Sequence, residues 1–143
     1  MKKLLMAAAV MALSAGLASA EVKVGMITTL SGGGAGLGID VRDGFLLALK
    51  QSGRDDIDVL IEDDQQKPDI AVQIADKMIQ SDKVEVMTGI IWSNLAMAVV
   101  PGAVAQGVFY LSPNAGPSQL AGAGCNKNYF NVAWQNDNLH EGA

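Results

Sequence analysis

The residues best able to do chemistry fall in a few short stretches. Trp92-Ser93-Asn94 precedes an apolar segment with helical spacing, so a hydroxyl and free backbone N–H groups would gather at a helix amino terminus. Both the helix dipole and the unpaired donors there favour an anion such as a carboxylate. The same position also suits Ser93 or Asn94 as a simple helix cap. Ser112-Pro113-Asn114-Ala115-Gly116-Pro117 brings a second set of amide and backbone groups, readable equally as a rigid turn between two prolines.

Other stretches invite chemistry and fail to support it. Gly32-Gly33-Gly34-Ala35-Gly36-Leu37-Gly38 joins a strand to a helix, yet no register yields G-x-G-x-x-G, because Leu37, Ile39 or Val41 stands at the last position. No Lys-Ser or Lys-Thr closes a phosphate loop, so the glycines are read as a closely approaching loop at the mouth of a cleft. Asp63 and Asp64 are adjacent acids whose side chains leave a strand end in opposite directions, which predicts a solvated turn rather than paired general acids. His140 is the only histidine and has no Cys, His or carboxylate near it at metal-ligand spacing, so neither metal nor cofactor is expected. No nucleophile with a base is recognisable. Cys125 is the only cysteine, which predicts a buried free thiol or a partner outside this sequence.

The elements that must position these groups alternate in period. Val22–Thr28, Ile57–Ile61, Val84–Thr88 and Val108–Leu111 read as strands, and Tyr129–Val132 resumes an extended pattern. Between them, Val41, Phe45, Ala48 and Leu49 mark a helix closed by Gly53. Pro68 opens a second helix with a stripe of Ile70, Ile74, Ala75 and Met78, and Leu95–Gln106 forms a third in which Pro101 predicts a kink or an irregular turn. Ser112–Gly124 reads as irregular, and Asn136 begins what looks like another helix. The alternation predicts an α/β fold, a parallel doubly wound sheet with helices on both faces. Ligands of such sheets sit beyond the carboxyl ends of the strands, which singles out Thr29–Gly38, Ile90–Asn94 and Ser112–Pro117.

The amino terminus carries a different message. Lys2 and Lys3, the uncharged run Leu4–Leu13 and the small-residue end Leu17-Ala18-Ser19-Ala20 predict a cleaved export leader over residues 1–20. The run is shorter than the roughly 20 apolar residues that span a bilayer, and Glu21 rather than a cysteine follows the cut, so no lipid anchor is expected. Loss of the leader takes two lysines and no acid, moving the formal charge of −5 two units further negative. Nucleic acid and anionic membrane surfaces are therefore not expected as partners, on electrostatic grounds. Residues 21–143 are enough for one domain with a real core. The break just after a helix start suggests a truncated sequence.

Taken together, Val22–Thr28 with Leu30-Ser31-Gly32, the helix start over Gly38–Gly44, Asp63-Asp64 with Pro68 beyond, Gly89–Ser93 and Gly107-Val108-Phe109-Tyr110-Leu111-Ser112-Pro113 resemble the branched-chain amino acid-binding family of type I periplasmic receptors. The resemblance covers nearly all of residues 21–143. It implies the first lobe of a two-lobed, hinge-closing receptor that docks on an ABC-type permease in the periplasm, monomeric, with the second lobe missing from this chain. By the same resemblance Ser93 holds a ligand carboxylate, and Asn114, Ala115 and Gly116 complete that pocket. Leu37 stands where amino acid binders often place an aromatic, and Gly116 where they often place a threonine. Trp92 instead offers an aromatic face to a ring. The implied ligand is a small carboxylate, either a branched-chain amino acid or an aromatic acid. A sensor ectodomain of the same fold is the alternative, and an exported α/β enzyme a further one.

Overall fold

The computed structural model describes residues 21–141, so the leader expected over residues 1–20 lies outside the described residues. Five strands form one sheet: β1 (Val22–Thr28), β2 (Ile57–Asp63), β3 (Val86–Thr88), β4 (Phe109–Ser112) and β5 (Tyr129–Asn131). All are parallel, in the order β2-β1-β3-β4-β5. The order reverses between β1 and β3, so the loops leaving these two strands diverge and leave a crevice at the carboxyl edge.

The helices are α1 (Ala35–Ser52), α2 (Pro68–Lys77, extended by one wider turn over Met78–Asp82), α3 (Ser93–Ala105), α4 (Ser118–Ala121) and α5 (Asn136–Glu141). Pro68 supplies the preset first turn of α2, and Gly53 ends α1 in the left-handed conformation at φ 67°. Right-handed crossovers divide these helices between the two faces of the sheet. α2 and α3 pack on each other and on one face, where Ile27, Met87 and Tyr110 meet Ala71, Ala75, Met78, Val99 and Val100 in the buried core. α1 lies on the other face.

Several expectations need correction. α1 begins at Ala35, inside the glycine stretch, because Gly38 must lie against β1: a Cβ there would collide with the Thr29 carbonyl oxygen. Ala48 is exposed, and Val41, Phe45 and Leu49 are only half-buried. In α2 the fully buried residues are Ala71, Ala75 and Met78, with Ile70 and Ile74 half-buried. α3 runs unbroken through Pro101, which sits on the exposed side, where water can serve the carbonyl that proline leaves unpaired. The segment expected to be irregular after Ser112 contains the short α4. Cys125 is exposed and free, not a buried thiol. Among the described residues no helix is long and apolar enough to cross a membrane.

Candidate functional site

Three loops converge at the carboxyl edge. The first follows β1, and it is tied to the end of β2 by the two adjacent acids. Asp63 Oδ1 accepts hydrogen bonds from the N–H groups of Leu30 (2.8 Å) and Gln65 (2.9 Å). Asp64 Oδ1 accepts from the Thr29 hydroxyl (2.7 Å) and the Gln66 N–H (2.9 Å). The solvated turn expected of these acids is wrong for one of them, since Asp64 is fully buried. Burial works to raise the Asp63 pKa, yet hydrogen bonds from the Ser31 side chain and from the N–H groups of Leu30, Gln65 and Ser31 outweigh it and hold the carboxyl below its ordinary value. Gln65 and Gln66 both adopt left-handed backbone, at φ 52° and 58°, a strained turn that the two carboxylates pin.

The second loop follows β3 and ends in Trp92, which occupies the cap position of α3 without a side-chain capping bond. Ser93 is thus the first helical residue, and neither it nor Asn94 caps the helix. Ser93 is half-buried and Asn94 exposed. The Trp92 indole N–H donates to the Thr29 hydroxyl at 3.0 Å, and the ring edge presses on Gly34, where a Cβ would stand 2.5 Å from Trp92 Cζ2. Glycine at 34 is therefore what lets the first and second loops meet.

The third loop, Ser112–Pro117, is bonded to the second: the Asn114 amide donates to the Ile91 carbonyl at 2.9 Å. The Ser112 hydroxyl donates to the Ala115 carbonyl and folds the turn on itself. Ala115 and Gly116 are buried. At Gly116 a Cβ would collide with the Trp134 carbonyl oxygen, which explains why a larger residue is absent there. Below this turn the buried Tyr110 ring stacks beside Tyr129, with centroids 6.2 Å apart, and burial pushes the Tyr110 hydroxyl pKa up.

A fourth segment closes the arrangement. At the start of α5, the Asn136 N–H donates to the Gly116 carbonyl (2.8 Å) and its side-chain amide donates to the Ser93 hydroxyl (3.2 Å). The structure thus brings together Trp92, Ser93, Asn114 and Gly116. Leu37 is exposed on α1, and Gly34 is the residue of that loop which touches Trp92. Among the described residues no cluster of acidic, histidine or cysteine side chains could hold a metal ion.

Residues 21–143 match the family model described as periplasmic binding protein. The chain belongs to this family. Among solved structures, a solute-binding protein of an ABC transporter from R. palustris, in complex with benzoate, is 32% identical with a TM-score of 0.79, over 82% of this chain and 34% of that one. An ABC transporter substrate-binding protein from Sphaerobacter thermophilus is 30% identical with a TM-score of 0.75, over 80% and 33%. A solute-binding protein from Rhodopseudomonas palustris BisB5, in complex with 3,4-dihydroxybenzoic acid, is 27% identical with a TM-score of 0.74, over 80% and 32%. Among curated proteins none matches the chain significantly. The chain spans about a third of the length of these solved relatives, and its five-stranded sheet is consistent with a single lobe of the periplasmic binding protein fold.

Sequence reasoning named all three loops, Thr29 included, but gave Thr29 no role, read Asp64 as part of a solvated turn, and missed Gln66 and Asn136. Thr29 lay one residue beyond the recognised strand Val22–Thr28, where the switch-point rule looks for ligand groups, and Asp64 lies one residue beyond β2, which runs two residues further than the sequence reading of Ile57–Ile61. Asn136 carried no signal except its place at a helix start.

Proposed function

We propose that this chain forms one wall of the ligand cleft in the periplasmic substrate-binding component of an ABC importer, and that the ligand is a small aromatic carboxylate. In this reading the leader carries the chain to the periplasm, the binding protein works as a monomer that delivers its ligand to a membrane permease, and it catalyses nothing. The carboxylate sits on the Ser93 hydroxyl and the backbone N–H groups of the first turn of α3. The Asn114–Gly116 turn completes the pocket, and the ring packs on Trp92.

One observation carries the reading: Ser93 is at the first position of α3, is half-buried, and has no capping role. The first-turn N–H groups of α3 have no intrahelical partner, and the Ser93 hydroxyl accepts from the Asn136 amide (3.2 Å), which leaves its own proton free to donate to a charged acceptor. The aromatic choice rests on Trp92 and on the absence of a side chain at Gly116, and it agrees with the benzoate bound to the relative from R. palustris.

Calorimetric titration of the full-length protein with benzoate tests this. Ser93→Ala removes a hydrogen bond to a charged acceptor, worth about 1.5 to 3 kcal/mol, and lowers affinity about tenfold to hundredfold. Unchanged affinity with a lowered melting temperature would make Ser93 structural. Tight binding of isoleucine with none of benzoate would replace the aromatic acid by a branched-chain amino acid.

A further inference from the structure

We infer that Asp64 is a positioning residue, acting through Thr29 to fix the indole of Trp92 at the lip of the candidate cleft and so to set the ring surface a ligand meets. The inference rests on the reading above that Trp92 faces the ligand, but its chain of contacts stands on geometry alone.

The bonds have a fixed direction. An indole N–H can only donate and a carboxylate can only accept, so the Thr29 hydroxyl must spend its one proton on Asp64 Oδ1 (2.7 Å) and offer a lone pair to Trp92 Nε1 (3.0 Å). Donation to the carboxylate polarises the hydroxyl and strengthens it as an acceptor for the indole. Thr29 and Asp64 are both fully buried, so water does not compete for these bonds, whereas Trp92 is only half-buried and reaches toward solvent.

Two further features separate this arrangement from ordinary loop packing. Asp64 Oδ2 is buried and accepts no hydrogen bond from the protein, an expense that a purely structural position could shed by carrying a neutral residue. The left-handed pair Gln65–Gln66 is held by the same carboxylates and delivers the Gln66 amide to Gly34, where a Cβ would stand 2.8 Å from Nε2 beside Trp92. Strain of this kind persists where the surroundings over-determine it. The backbone turn, the carboxylate and the indole are therefore one unit, and the glycine loop closes against it.

The test isolates one indole. Trp134 is about half exposed and distant in sequence, so Trp134→Phe leaves Trp92 as the only tryptophan of the described residues. In that background Thr29→Val keeps the volume and removes the hydroxyl, while Thr29→Ser restores it. Near-ultraviolet circular dichroism of the ligand-free protein should show a structured indole band in the parent and in Thr29→Ser, lost in Thr29→Val, with the far-ultraviolet spectrum unchanged in all three. Acrylamide quenching of Trp92 should rise only in Thr29→Val, and Asp64→Ala, if it folds, should match Thr29→Val. An indole band equal in Thr29→Val and Thr29→Ser would overturn the inference. Benzoate titration of the parent runs alongside: loss of the band in Thr29→Val with rescue by serine, in a protein that binds no benzoate, would support the positioning role and sink the aromatic-acid reading instead.

Discussion

The two faces of the sheet differ more than their sequences suggest. In β4 the side chains alternate strictly, Tyr110 and Ser112 buried on one side, Phe109 and Leu111 exposed on the other. The first face is sealed by α2 and α3, and its residues Met87 and Tyr110 are inaccessible. Among the described residues α1 covers the second, burying Val24 and Met26 near the sheet centre and leaving Phe109, Leu111, Phe130 and Val132 between 39% and 69% exposed. Phe109 and Phe130 stack on each other there, with centroids 6.4 Å apart. A parallel sheet is ordinarily covered on both faces, because its strands are apolar on both. The difference teaches that the register and core of these residues come from one face, while the other is an apolar surface in search of cover.

The comparison breaks first at Met87. Met87→Ala empties a site with no accessible surface and should cost about 2 to 5 kcal/mol, whereas Leu111→Ala, one strand away on the other face, should cost under about 1 kcal/mol, both read from denaturant unfolding. Equal losses would mean that both faces are packed in solution. Next, Phe109→Thr combined with Leu111→Thr should lower the fluorescence of the dye ANS and any tendency to self-associate, with little change in stability. A dye signal that stays put would show that the surface is already covered.

The smallest effect concerns Asp63, which stitches the end of β2 to the loop leading into α1. Its folded pKa lies below the ordinary aspartate value, so the unfolded chain binds the proton more readily. The stabilisation is complete above about pH 4, where the unfolded carboxyl is ionised, and is lost as pH falls through the lower folded value. Asp63→Asn should flatten that acid limb of a melting-temperature profile by lowering the melting temperature at neutral pH, while leaving it nearly unchanged at the acid end, where the native carboxyl is already protonated. A limb as steep as before would move the effect to other carboxylates.

The sheet was legible because its signals were local. β1 was read with its bounds, and Pro68 and Gly53 marked helix ends through backbone chemistry that no distant residue can alter. The site was half legible: the switch-point rule led to Trp92, Ser93 and Asn114, but it says nothing about what those side chains bond to. The burial of Asp64 follows from the Thr29 hydroxyl and the Gln66 backbone, partners fixed only by the fold. Ala48 was misread for a similar reason. Its helical spacing is sound, but the sheet surface it should cover is the sparsely covered one.

The spacing of the bonds that assemble the cleft wall bears on how the chain folds. Thr29 and Asp64 are 35 residues apart, Trp92 and Thr29 are 63, and Asn136 and Ser93 are 43. Each must close a long loop before it gains anything, so none can form ahead of the strands that bring its ends together. β1, made first, takes its second neighbour only when β3 has followed. The wall is thus built from distant parts of the chain, and no short peptide cut from it would carry the arrangement along.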